Sequence, residues 1–239
     1  MYAIVPVLLA ALVTAAVLCG YTTLRLPVRP RAEELRIACV GDSVTYGCTL
    51  PLFFLRRWPA LLRRALGDGV QVAVFAVNDR SLQDTGNKPF RRERAFRQSL
   101  AFRPDIVIIL LGTNDSKACN WISAEAFRGQ YAEMIQAYRA LRPAPRILIC
   151  TPPAGFPPCA PLFSLSNDAD LRCIPEIASA VEEVAAEAGV EPIDLYALTA
   201  GRRELFGPDG LHPNAAGARA IAGEIRSAIG DLAPGRAAP

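Results

Sequence analysis

Hydrophobic and polar positions fall in long blocks along this chain, and the blocks predict its elements. Near-continuous apolar, β-branched runs stand at "LRIACV", "VQVAVFAV", "DIVIILLG", "RILICTP" and "EPIDLYAL". A strand that is apolar at every position, rather than every second one, belongs in a sheet covered on both faces. Between these runs lie helical spacings: "LFFLRRWPALLRRALG", "SAEAFRGQYAEMIQAYRALR", "IPEIASAVEEVAAEAG" and "NAAGARAIAGEIRSAIGDL". The alternation predicts an α/β fold, a flavodoxin-like three-layer α/β/α sandwich with a five-stranded parallel sheet. In open sheets of this kind, ligands sit beyond the carboxyl ends of the strands. Two connections are long, Asn78 to Arg94 and Pro152 to Cys173, and loops of that length in a compact domain tend to be functional.

One block breaks the rhythm. From Tyr2 to Leu24 there is no charged side chain, and as a helix this stretch spans about the 30 Å of a bilayer's hydrocarbon core. A cleaved signal peptide would show a basic leader and a shorter apolar run, and a lipoprotein signal would want small residues before Cys19, where Leu18 stands. An uncleaved single-pass transmembrane helix over residues 1–24 fits best, which predicts membrane localisation. Arg25, Arg29 and Arg31 follow the run and bias the domain toward the cytoplasmic face. "PVRPRAEE" closes a linker over residues 25–34, the folded domain spans 35–232, and "APGRAAP" ends the chain as a disordered tail over 233–239.

Composition narrows the partners. With 239 residues the chain holds one domain and a sizeable core. A net charge of +3, from 26 basic and 23 acidic residues, is too mild to suggest nucleic acid. The basic cluster "NKPFRRERAFR", Asn87 to Arg97, reads as a solvated face. Seven scattered cysteines are not a disulfide framework, although Cys159 and Cys173 share one loop and stand close enough in sequence to pair under oxidising conditions. A single histidine and no CxxC argue against a metal site.

The candidate chemistry lies where strands end. "RIACVGDSVTYGCTL" delivers Gly41, Asp42 and Ser43 at the end of the first strand, and "LLGTNDS" delivers Asn114 after the third. "GPDGLHPN" carries the lone histidine, His212, three residues after Asp209 and just before the last helix, for which Asn214 is the expected N-cap. That spacing lets the carboxylate take the imidazole Nδ1 proton and leave Nε2 as a base. Polar strand ends and the Asp-x-x-His turn therefore converge on one edge of one sheet.

In these blocks, over Leu35 to Leu232, the chain resembles the SGNH hydrolases, the superfamily of GDSL esterases and lipases. The resemblance implies a serine esterase with Ser43 as nucleophile, His212 as base, Asp209 as orienter and no cofactor. It implies an oxyanion hole made by the N–H groups of Ser43 and Ala76 and the Asn114 amide. The second block departs from the family's Asn-x-Gly-x-Asn/Ser-Gly-x-Thr. In "VFAVNDRS", Val74 replaces Asn, Ala76 stands at the first Gly and Asp79 at the second, while a register starting at Asn78 would offer Arg80 as donor. The substrate is a small-molecule, lipid or glycan ester: a lysophospholipid or other acyl ester, or an O-acetylated sugar. Acyl transfer to an envelope glycan and a catalytically silent binding protein remain open at this stage.

Overall fold

The computed structural model describes residues 34–160 and 168–230, together with Pro30. The proposed membrane segment, most of the linker and the tail lie outside the described residues. No helix among the described residues is long and apolar enough to cross a membrane.

Five strands, β1 (Leu35–Gly41), β2 (Val70–Ala76), β3 (Ile106–Leu110), β4 (Arg146–Cys150) and β5 (Glu191–Ile193), form one parallel sheet in the order β2-β1-β3-β4-β5. This is the doubly wound order in which the chain reverses direction beside β1, leaving a crevice at the carboxyl edge. Alternate strand residues serve opposite faces. Ala38, Val40, Val107, Ile109, Ile147 and Ile149 enter one core, and Ile37, Cys39, Ile108, Leu110, Leu148 and Cys150 enter the other. Every residue of β3 is buried, as its unbroken "IVIIL" requires.

The helices are α1 (Ser43–Tyr46), α2 (Phe53–Arg56), α3 (Trp58–Leu66), α4 (Arg94–Ala101), α5 (Ala124–Arg139), α6 (Ile174–Ala188), α7 (Leu195–Thr199) and α8 (Ala215–Ile229). Helices α4, α5 and α6 cover the first core, while α3 and α8 cover the second. Three elements differ from the expected pattern. The first long helix is split, because Pro59 has no N–H to give the Leu55 carbonyl and Arg57 is extended between α2 and α3. Helix α4, absent from the expected pattern, begins at Arg94, where the expected long connection after β2 ends. Strand β5 stops at Ile193, where the Asp194 side chain accepts from the Ala197 N–H and starts α7.

The register places Gly41, Ala76, Leu110, Cys150 and Ile193 in one row at the carboxyl edge. Two buried carboxyls stand just beyond it. Asp115, fully buried, accepts from the N–H groups of Leu82 (2.8 Å) and Gln83 (2.9 Å) and so ties the loop after β2 to the loop after β3. Burial pushes Asp115 up to about 6 and Asp42 up to about 7, outweighing the amides that favour their ionised forms. The folded chain therefore keeps these protons at pH values where the unfolded chain has released them. Unfolding free energy should fall as pH rises from about 4 toward those values, by up to about 1.4 kcal/mol per pH unit for each group. Urea titrations of Asp115→Asn between pH 4 and 6 should show a shallower fall than wild type. Equal slopes would show that Asp115 does not hold its proton.

Two members of the basic cluster are neutralised. Lys88 pairs with Asp79, and Arg91 pairs with Asp84 at 3.2 Å and with Glu133 at 2.6 Å. Cys159 and Cys173 are both free thiols, so the pairing open from sequence is not formed.

Candidate active site

Gly41 ends β1, and its successor caps the turn that follows: one Asp42 carboxylate oxygen accepts from the Val44 N–H at 2.9 Å. This fixes Ser43 as the first residue of α1. The helix is a single turn, so what it offers an anion is its outward backbone N–H rather than a substantial dipole. A side chain at position 41 has no room, since a Cβ there would lie 2.3 Å from Thr45 Oγ1 and 2.5 Å from the Leu110 carbonyl oxygen.

Across the edge, the turn before α8 is built on Asn214. Its side chain accepts from the N–H groups of Ala216 (2.8 Å) and Gly217 (3.1 Å) and donates to the carbonyls of Glu204 (2.7 Å) and Phe206 (3.1 Å). Within the turn, Asp209 Oδ1 accepts from the backbone N–H groups of Leu211 and His212, both at 3.0 Å. Its Oδ2 lies 2.7 Å from His212 Nδ1, and His212 Nε2 lies 2.9 Å from Ser43 Oγ. One line of two hydrogen bonds thus joins residues 169 positions apart. Burial would raise Asp209, but the hydrogen bonds and charge of His212 and the two backbone amides outweigh it and hold the carboxyl below its ordinary value. Asp209 is ionised at neutral pH and orients the ring.

Asn114 lies in the 3₁₀ turn Thr113–Ser116 beyond β3. Its amide nitrogen donates to Asp42 Oδ2 at 3.1 Å and to the Arg80 carbonyl at 3.2 Å, and its backbone carbonyl accepts from the Asn120 side-chain amide at 2.7 Å. The amide is therefore held beside the Ser43 turn. Ala76 is not placed for the role expected of it. It pairs with Gly41 inside the sheet, and the next residue, Val77, donates its N–H to the Gly41 carbonyl at 3.1 Å. Because successive strand amides point to opposite sides, the Ala76 N–H faces away from β1 and Ser43. The turn after it carries Asp79 in the left-handed region, at φ 62°, where the family pattern has its second glycine. Burial would raise the Asp79 carboxyl, but Lys117 and Lys88 outweigh it and lower it.

Sequence reasoning passed over three supporting residues. Asp42 was visible only as part of a tripeptide, and Asn120 had no motif. Gly210, at φ 73°, lies so close to the loop after β4 that a Cβ would be 2.0 Å from the Phe156 carbonyl oxygen. Its flanking "PDGLH" carried the signal, a glycine inside a turn that also holds charge.

Residues 39–220 match the GDSL-like Lipase/Acylhydrolase family. An acetylxylan esterase of Xylanibacter ruminicola is 37% identical over 217 residues, covering 84% of this chain and 44% of that protein. The chain spans less than half the length of that relative. Among solved structures, an inhibitor-bound aryl esterase of M. smegmatis superposes with a TM-score of 0.69 at 23% identity, over 81% of this chain and 97% of that one. A carbohydrate acetylesterase of Sinorhizobium meliloti, Est24, gives 0.68 at 21% identity over the same shares. These two likenesses, at such low identity, speak for the fold. The family match and the 37% relative go further: the chain belongs to the GDSL-like lipase/acylhydrolase family.

Proposed function

We propose that the protein is a serine esterase that removes short acyl groups, acetyl above all, from carbohydrate hydroxyls through an acyl-enzyme on Ser43. The observation that carries the catalytic part is the 2.9 Å contact of His212 Nε2 with Ser43 Oγ, backed by Asp209 at 2.7 Å. The carbohydrate part is supported by the acetylxylan esterase relative.

A serine hydroxyl is a weak nucleophile until a base takes its proton. As Ser43 Oγ bonds to the ester carbon, its proton passes to His212 Nε2, and Asp209 stabilises the imidazolium. Collapse of the tetrahedral species breaks the bond to the sugar oxygen, which leaves with the proton from Nε2. A water molecule then gives its proton to His212 and its oxygen to the acyl carbon, and Ser43 leaves as the hydroxyl with the acyl group released as the acid. The oxyanion formed twice on this path accepts from the Ser43 N–H and from the Asn114 amide, which shifts one of its two protons from Asp42 or Arg80 to the new charge.

Asn114→Ala should lower kcat by about 10²–10³ with little change in KM, the signature of a contact made in the transition state. An unchanged kcat would remove Asn114 from the mechanism. Nitrophenyl esters of graded chain length test the acyl preference: kcat/KM should fall steadily from acetate to octanoate. A maximum at the longer chains would favour a lipid ester and contradict the acetyl reading.

A further inference from the structure

Among the described residues, four large apolar side chains are exposed, and three of them sit together: Leu52, Phe54 and Leu55, at 39%, 47% and 42%. They are carried by α2 and the residue before it, beside the active-site turn. Thr49 Oγ1 lies 3.9 Å from where a Cβ on Gly207 would stand. Leu52 is held in the left-handed region at φ 53°, a conformation that a leucine rarely adopts.

Next to this apolar ridge, between α2, α3 and the start of α8, is a cavity of about 330 Å³ lined by Leu55, Arg56, Leu61, Arg64, Ala215 and Arg219. Ala215 is only three residues past His212. The three arginines are exposed, and among the described residues their side chains make no ion pair or hydrogen bond. Neighbouring arginines are engaged: Arg57 lies over the rings of Tyr46 and Phe53, and Arg63 reaches Asp68 and the Gly67 carbonyl. In the basic cluster of Asn87 to Arg97, Lys88 and Arg91 meet acidic partners.

We infer that this face docks on a lipid bilayer bearing anionic headgroups, with Leu52, Phe54 and Leu55 entering the interface and Arg56, Arg64 and Arg219 meeting phosphates. Contiguous exposed apolar side chains rimmed by unpaired cations are the physical requirements of interfacial binding. The chemistry of the face separates lipid from sugar. A sugar hydroxyl both donates and accepts, so its recognition calls for acceptor side chains, whereas arginine only donates. The cavity and ridge carry no Asp, Glu, Asn or Gln, and a lipid phosphate needs donors alone. The docking is independent of ester hydrolysis, and it would hold the Ser43 rim close to the membrane surface.

The test uses the full chain carrying Phe54→Trp, so that every residue outside the described ones stays constant between samples. Vesicles of mixed phosphatidylglycerol and phosphatidylcholine with brominated acyl chains should quench and blue-shift the new indole. Wild type supplies the background of Trp58 and Trp121. Pure phosphatidylcholine should leave the signal unchanged, and Arg64→Gln with Arg219→Gln should require roughly tenfold more anionic lipid for half the effect. Hydrolysis of soluble nitrophenyl acetate by that double variant should stay within twofold of the parent. Raising salt should reverse the quenching without any arginine substitution. No response to either vesicle, or an equal response to both, overturns the proposal. So does a response to polygalacturonate in place of vesicles, which would make the face a glycan subsite.

Discussion

Asp209→Asn lowers kcat for nitrophenyl acetate by about 10⁴-fold while the chain stays folded. The size follows from which proton each nitrogen can hold. In wild type the ionised carboxylate accepts from His212 Nδ1, which leaves Nε2 unprotonated and facing Ser43 Oγ at 2.9 Å. An asparagine at 209 keeps its carbonyl on the Leu211 and His212 N–H groups, which in wild type donate to Oδ1 at 3.0 Å, and turns its NH₂ toward Nδ1. Nδ1 must then accept, so the ring proton moves to Nε2 and points at the hydroxyl it should deprotonate. Binding and oxyanion contacts survive, so KM changes little. Steady-state kinetics together with circular dichroism check the outcome. A loss under tenfold in a folded variant would mean that the ring's tautomer is not set by Asp209.

The second large effect lies outside the reacting groups. Gly210→Ala should cost about 3 kcal/mol of stability, lower the melting temperature by roughly 6–12 °C and lower kcat by at least about 10²-fold. The Cβ would lie 2.0 Å from the Phe156 oxygen, 2.8 Å from its carbonyl carbon and 2.9 Å from the Pro157 oxygen, all backbone atoms that cannot rotate away. The residue also stands at φ 73°, which disfavours any side chain. Either the loop after β4 separates, losing the Phe156 N–H bond to the Gly210 carbonyl (2.9 Å) and the Cys159 N–H bond to the Pro208 carbonyl (2.8 Å), or the Asp209–His212 turn shifts. Gly223→Ala is the control. Gly223 sits inside α8 with open space at its Cβ, so alanine there should be neutral or stabilising by up to about 1 kcal/mol. Wild-type stability and activity in Gly210→Ala would contradict the packing described for that turn.

These positions show what could be read in advance. The sheet was legible because its strands are near-continuous apolar runs, and the reacting groups were legible because three short blocks end elements at one edge. Ser43, Asn114, Asp209 and His212 lie where strand ends and the last helix put them. Elements set by competition between local groups were not legible. Pro59 breaks a helix whose hydrophobic spacing runs straight through it, and Asp194 turns an apolar run into a cap. Helix α4 was missed because arginines occupy its exposed face and only Ala95, Phe96 and Ser99 are buried. Ala76 was misassigned because its residue type matched a donor position, while the direction of its N–H depends on strand register, which the motif does not encode. The left-handed turn at Asp79 escaped notice for the opposite reason: an aspartate tied to two lysines occupies a conformation that a glycine would have announced.

Reaction with a fluorophosphonate, followed by mass mapping of the adduct, bears most directly on the acyl-enzyme. The account predicts one phosphonyl group per folded chain, on Ser43, absent from Ser43→Ala and strongly slowed in His212→Ala. Folded wild type that takes no label, or takes it on another residue, would contradict it.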